Sequence, residues 1–166
     1  MQIALENQEG VIELVLLILL MAGAYVGWNI GANDTANCIG TTVGAGLLPF
    51  RRAVLLVAVF AILGAVLQGQ HVMKTIGKQI TPLDVRGAFV AQTASAVGMH
   101  LFAVWGIPVS SSSAIVGAVV GVGLVKGART ISKKTLIIIL VGWVLTPCLG
   151  AFSSFMVYRL LSPVFS

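Results

Sequence analysis

The chain of 166 residues is 58% apolar and only 9% charged, against roughly 25% charged residues in soluble domains, so composition excludes an ordinary water-soluble fold. Its net charge of +5 does not indicate nucleic acid, because no basic face is interleaved with aromatic residues. The basic residues fall between long apolar runs, at Arg51-Arg52, at Lys74, Lys78 and Arg86, and at Lys126, Arg129, Lys133 and Lys134, as they do in loops facing lipid headgroups and cytoplasm.

A spanning helix takes about 20 mostly apolar residues, and residues 11–28 form the first such run. No Lys or Arg precedes it, whereas Glu6 and Glu9 do. It therefore reads as a retained span starting outside the cytoplasm, not as a cleaved signal peptide. The polar stretch Asn29-Ile30-Gly31-Ala32-Asn33-Asp34-Thr35-Ala36-Asn37 is expected to interrupt it, and the apolar piece over 38–48 is too short to cross alone. Residues 49–52 end that piece, 53–73 make a second full span, and a polar loop over 74–87 contains Pro82 and Asp84. A third span over 88–106 leads to a second interruption, Ile107-Pro108-Val109-Ser110-Ser111-Ser112-Ser113, and a short apolar piece over 114–125. A basic loop over 126–134 precedes the last span, 135–161, which Pro147 is expected to kink or split.

The predicted fold is an all-α polytopic membrane protein in one domain, 1–166, with four long spanning helices and two short broken or re-entrant segments at 29–48 and 107–125. Helices are required because they satisfy their own backbone in lipid, and barrel strands would alternate every second residue. Cys38 and Cys148 lie in apolar segments without metal or redox spacing and read as small core residues.

The interruptions are where chemistry is expected, since non-helical backbone survives in hydrocarbon only when it is buried in protein or lines a wet cavity. Asp34 is the only acidic residue between Glu13 and Asp84, and a carboxylate at that depth is functional by default. Asn33, Asn37, Thr41 and Thr42 flank it with the amide and hydroxyl oxygens that a small cation prefers. The bland reading is that Asp34 caps a helix from a water-filled vestibule. In the second interruption, Pro108 suits a helix start and Ser110 an N-cap. Four consecutive hydroxyls beside free amides suit a tetrahedral oxyanion. A small-residue packing face continuing through Gly117, Gly121 and Gly123 explains the same residues equally well.

GANDTANCIGTTVGAGLL resembles the signature of the inorganic phosphate transporter (PiT) family, and IPVSSSSAIVGAVVGVGL resembles its second hallmark, usually PVSTTH before a small-residue helix. GAVLQGQHVMKTIGKQI and GWVLTPCLGAFSSFMVYRLL are also similar to family segments, so the resemblance runs from about Tyr25 almost to the end. It implies a transporter and not an enzyme: symport of inorganic phosphate with sodium or protons, in the cell membrane, through a core of inverted repeats. By position, Asn33, Asp34 and Asn37 belong to the cation side, with Gln92 on the third span within reach and Asp34 and Asn37 as ligands if the ion is sodium. Ser110, Ser111, Ser112 and Ser113, with Thr41 and Thr42, belong to the phosphate side. No resident cofactor is implied. Serines replace the family's two threonines, Ser113 stands where the family has His, and each motif occurs once where family members carry the pair twice.

The single copy leads to the expectation of an antiparallel homodimer, or of pairing with another half-length subunit. If the serine segment returns to its starting side, the basic residues divide six to four between the two sides; if it crosses, three to seven. The sequence reading takes the near-balanced division, which permits insertion both ways. Gln68, Gln70 and His71 cluster where the family often has a carboxylate, and His100 reads as an interhelical hydrogen-bonding residue. A sulfate permease of the same family, a passive anion channel and an accessory subunit remain alternatives, although no ring of like charges or filter repeat appears.

Overall fold

The computed structural model describes residues 2–165, and side chains from residue 12 to residue 163. The side chains of Glu6 and Glu9, which carried the expectation of an external start, lie outside the described residues. The protein is all-helical: α1 (Gln2–Gly44), α2 (Phe50–Lys74) continued by a π-helical turn (Thr75–Gln79), α3 (Val85–Val104), α4 (Ser111–Lys126), a 3-10 turn (Ala128–Thr130) and α5 (Lys133–Phe165). Four of these helices are long and apolar enough to cross a membrane, and α4 is shorter. The chain is a multi-pass membrane protein. It divides into two units, Met1–Ile131 and Ser132–Ser166.

The first expected break is absent. Residues 29–37 remain inside α1, which is one uninterrupted helix of 43 residues. The weak helix formers of NIGANDTAN suggested an interruption, but no proline precedes Pro49 to remove a donor. Asn29 Nδ2 shares the Tyr25 carbonyl with the ladder at 2.8 Å, using its second lone pair, and Asn33 bonds outward to another segment. The helix stops at Gly46 instead. There φ is +72°, Leu47 N–H reaches the Thr42 carbonyl (3.1 Å) and Gly46 N–H the Val43 carbonyl (3.0 Å), the paired bonds of a glycine C-cap. Pro49 then starts α2.

The same device ends α3. Gly106 has φ +68°, and Ile107 and Gly106 N–H bond to the Phe102 and Ala103 carbonyls, both at 3.0 Å. Pro108 follows, and α4 begins after the Ser110 N-cap. The chain has turned through a helical hairpin. The end of α4 lies beside the start of α3, where Lys126 Nζ is 2.6 Å from Asp84 Oδ1 and the Thr81 and Thr130 hydroxyls are 3.0 Å apart. Asp84 also N-caps α3 by accepting from Gly87 N–H at 3.1 Å.

This hairpin corrects the expected distribution of charge. Lys126 and Arg129 sit at the end that carries Lys74, Lys78 and Arg86, while Arg51 and Arg52 lie at the other end of α2. The near-balanced division required Lys126 to fall with Arg51, and the Asp84–Lys126 ion pair forbids it.

The core of the first unit is built from small residues on α1, α3 and α4: Ala22, Ala91, Ser95, Ala96 and Gly123 are buried, with Met99, Val116 and Val119 filling between them. Small side chains let backbones approach closely where lipid offers no hydrophobic drive between helices. Ala53 is the one buried residue described on α2. Cys38 and Cys148 are exposed, not in the core as expected. In the second unit, Pro147 does not split α5, which continues through it to Phe165. A break there would free several backbone groups in lipid, whereas the proline removes a single donor.

Candidate functional site

The hairpin tip docks against the middle of α1. Ile107 precedes a proline and is steered to extended backbone, so the N–H and C=O of Val109 face outward from any helix. Asn33, only 5% exposed, takes both: its Nδ2 donates to the Val109 carbonyl at 2.5 Å, and its Oδ1 accepts from Val109 N–H at 3.1 Å. Its Nδ2 also donates to Asp34 Oδ1 at 2.9 Å. The other carboxylate oxygen of Asp34 accepts from Ser111 Oγ at 2.8 Å. The two interruptions, 76 residues apart between Asn33 and Val109, therefore meet through a carboxylate, an amide and a hydroxyl.

Ser110 caps α4, its Oγ accepting from Ser113 N–H at 3.2 Å and lying 3.0 Å from Ser112 Oγ. The amides of Ser111 and Ser112 precede Ser113 in the same turn, where helix geometry provides no intrahelical acceptor. Gly44 lies ten residues beyond Asp34, so the contact is about 15 Å short of the end of α1. That distance is about half the thickness of a bilayer's hydrocarbon core.

The structure does not gather every expected residue. Asn37 is exposed, one turn beyond Asn33, and shares an open groove of about 360 Å³ with Asn33, Ala36 and Pro108. Thr41 and Thr42 belong to the last turns of α1, about 10–12 Å further along the axis, and their carbonyls serve the helix cap. Gln92 lies beside Gly23, its Nε2 3.3 Å from where a Cβ there would stand. That level of α1 is about 16 Å from Asp34. Ser113 borders a second groove of about 510 Å³ between α3 and α4, with Ser95, Ser110 and Gly117. The His100 and Tyr25 rings meet in a tilted arrangement, centroids 5.8 Å apart, and Gln68, Gln70 and His71 are exposed along α2.

Sequence reasoning missed one participant. The backbone of Val109 carries no side-chain signal at all.

The model of the phosphate transporter family matches residues 30–165, which include both halves of this contact. The chain belongs to that family. It is 40% identical over 150 residues to the chloroplastic inorganic phosphate transporter 2-1 of Arabidopsis thaliana, covering 84% of this chain and 26% of that protein. A relative from Chlamydia pneumoniae is 38% identical over 157 residues, covering 89% of this chain and 37% of its own length. A solved structure described as the sodium-dependent phosphate transporter superposes with a TM-score of 0.85 at 36% identity, covering 89% of this chain and 39% of that one. The chain thus spans about a quarter to two fifths of the length of these relatives.

Proposed function

We propose that this chain forms one repeat of a carrier that moves inorganic phosphate across a membrane together with sodium. The observation that carries the reading is the 2.8 Å hydrogen bond from Ser111 to Asp34, which joins the one acidic side chain of the α1 motif to the first turn of α4. An anion cannot settle beside a carboxylate in a low-dielectric site unless a cation lies between them. Asp34 supplies the charge for that cation, with Asn37 at the open edge of the groove. The Ser110 and Ser112 hydroxyls, with the amides of the α4 first turn, supply donors for the phosphate oxygens, while the Ser111 hydroxyl ties that turn to Asp34. Binding of either ion then favours the other, which is the thermodynamic basis of coupling. Asn33 acts through Val109, holding the serine turn against α1. Family membership supports phosphate as the substrate, and the sodium-dependent structural neighbour supports the choice of ion.

The site is completed by a second repeat of opposite orientation, since transporters of this construction bind substrate where two repeats meet. Five basic residues at one end of the first unit against two at the other favour a single orientation for this chain. Its partner repeat accordingly carries the opposite bias and is not a reversed copy of the same chain. Purified protein in liposomes tests the function: labelled phosphate should accumulate uphill only with an inward sodium gradient. Equilibration without a gradient would indicate a passive pore, and no uptake in the presence of every candidate partner repeat would reject the reading.

A further inference from the structure

The one ion pair among the described residues borders a groove that takes no part in the Asp34–Ser111 contact. The groove lies between the start of α3 and the end of α4, has a volume of about 410 Å³, and gathers Asp84, Arg86 and Lys126 at its mouth. Inside it, Gly87, Ala94, Ala118 and Gly121 carry almost no side chain. Val90 and Val125 line its rim, 53% and 90% exposed. From Arg86 to Ala94 it follows α3 for about 12 Å. An open apolar furrow on a membrane-spanning unit takes hydrocarbon in preference to water.

The mouth sets two cations against one carboxylate. Lys126 donates to Asp84 Oδ1 at 2.6 Å and to the Pro82 carbonyl at 3.3 Å, which leaves its third ammonium proton unused. Arg86 stands in the first turn of α3, where the helix dipole disfavours a cation, and forms no ion pair with a described residue. One positive charge is therefore unmatched, and a single phosphodiester is its complement, because guanidinium pairs bidentately with phosphate oxygens. Lys74, Lys78 and Arg129 share this end of the unit. Such an excess of basic residues marks the cytoplasmic side, whose leaflet carries anionic lipid.

We propose that this groove holds an anionic phospholipid. Its phosphodiester bonds to Arg86 and to the remaining ammonium proton of Lys126, and an acyl chain lies along Gly87, Ala94 and Gly121. The lipid thereby braces the open end of the α3–α4 hairpin. A zwitterionic lipid brings a cation of its own to the same mouth and binds more weakly.

The test follows the thermal transition of the full chain in an uncharged detergent. Dioctanoyl phosphatidylglycerol, dioctanoyl phosphatidylcholine and the chain-free headgroup glycerophosphoglycerol are each titrated in. Phosphatidylglycerol should raise the transition saturably, and the other two should not. Arg86→Gln should need about fivefold more phosphatidylglycerol at the half-maximal shift, one basic residue's share of the attraction to anionic lipid. Arg129→Gln removes the same charge at the same end but outside the groove, and should stay within about twofold of wild type. A Cβ on Gly121 meets no atom within 4 Å, so Gly121→Leu fills the groove with both cations in place and should also weaken the lipid effect. Should Gly121→Leu fail to fold, the two arginine variants decide. Equal shifts with phosphatidylcholine or with glycerophosphoglycerol, or equal losses in Arg86→Gln and Arg129→Gln, would overturn the proposal. They would point in turn to chains alone, to a headgroup-sized anion alone, and to diffuse surface charge. A transition that ignores every lipid would overturn it too, leaving the groove as a seat for an apolar helix of the partner repeat.

Discussion

At the scale of single residues, the site depends on who donates to whom. Asp34 accepts from Ser111 and from Asn33, so replacing the carboxylate by an amide removes charge without removing shape. Asp34→Asn should therefore remain folded and membrane-inserted while losing gradient-driven phosphate accumulation, and uptake at the wild-type rate would remove Asp34 from the mechanism. The serines are not equivalent. Ser111 bonds the carboxylate while Ser110 caps α4. Ser111→Ala should weaken phosphate binding about ten- to hundredfold, the effect of a lost bond to a charged group, measured by phosphate competition in liposomes. Ser110→Ala should instead lower stability by about 0.5–2 kcal/mol, as a lost N-cap does. Asn33 was expected among the cation ligands, yet both ends of its amide are bonded to Val109. Nothing in the side-chain pattern announces a partner that is backbone.

At the scale of elements, the α3–α4 hairpin is held at its open end by close packing and one exposed ion pair. A Cβ on Gly123 would stand 2.8 Å from Ile131 Cγ1 and 3.3 Å from Thr81 Cβ. Ile131 is β-branched and cannot swing aside freely. Gly123→Ala should cost about 1–3 kcal/mol of stability through overpacking, read as a lower thermal transition in detergent. The ion pair sets a pH limit. The Lys126 ammonium hydrogen-bonded to Asp84, followed by the Gly87 amide, holds the Asp84 carboxyl below the usual carboxylate range. A depressed carboxylate contributes its stabilisation above the unfolded value of about 3.9, and loses it only as pH falls through the lower folded value. The Asp84–Lys126 contact should thus persist through neutral and mildly acidic pH. An NMR titration of the Asp84 carboxyl should show a midpoint below the free value in wild type, rising in Lys126→Met. An unchanged midpoint in that variant would mean the ammonium is not its partner in solution.

At the scale of the whole molecule, charge and topology decide orientation. The first unit places Lys74, Lys78, Arg86, Lys126 and Arg129 at one end and Arg51 and Arg52 at the other. The excess of Lys and Arg marks the cytoplasmic side, so the open end of the hairpin should face the cytoplasm. This reverses the orientation expected from Glu6 and Glu9. In a background without Cys38 and Cys148, a cysteine at Ala128 should resist an impermeant thiol reagent in intact cells, and one at Leu47 should react. Partial labelling at both positions would indicate dual insertion and restore pairing of the chain with itself.

The sequence by itself determined the solvent and the secondary structure. Apolar runs of spanning length, with charges confined between them, leave only helices that satisfy their own backbone. It also located both polar motifs, because Asp34 and the serine run are conspicuous against hydrocarbon-compatible neighbours. Composition misjudged the continuity of α1, where Asn33 bonds to another segment and Asn29 shares a carbonyl of its own helix without breaking the ladder. Only the tertiary structure decided which polar groups meet and which face of the membrane each loop shares. The turn at Gly106 and Pro108 folds α4 back along α3, which carries Val109 to Asn33, Ser111 to Asp34 and Lys126 to Asp84. Each of these contacts joins residues more than forty positions apart, and local periodicity holds no information about a return path set by one glycine and one proline.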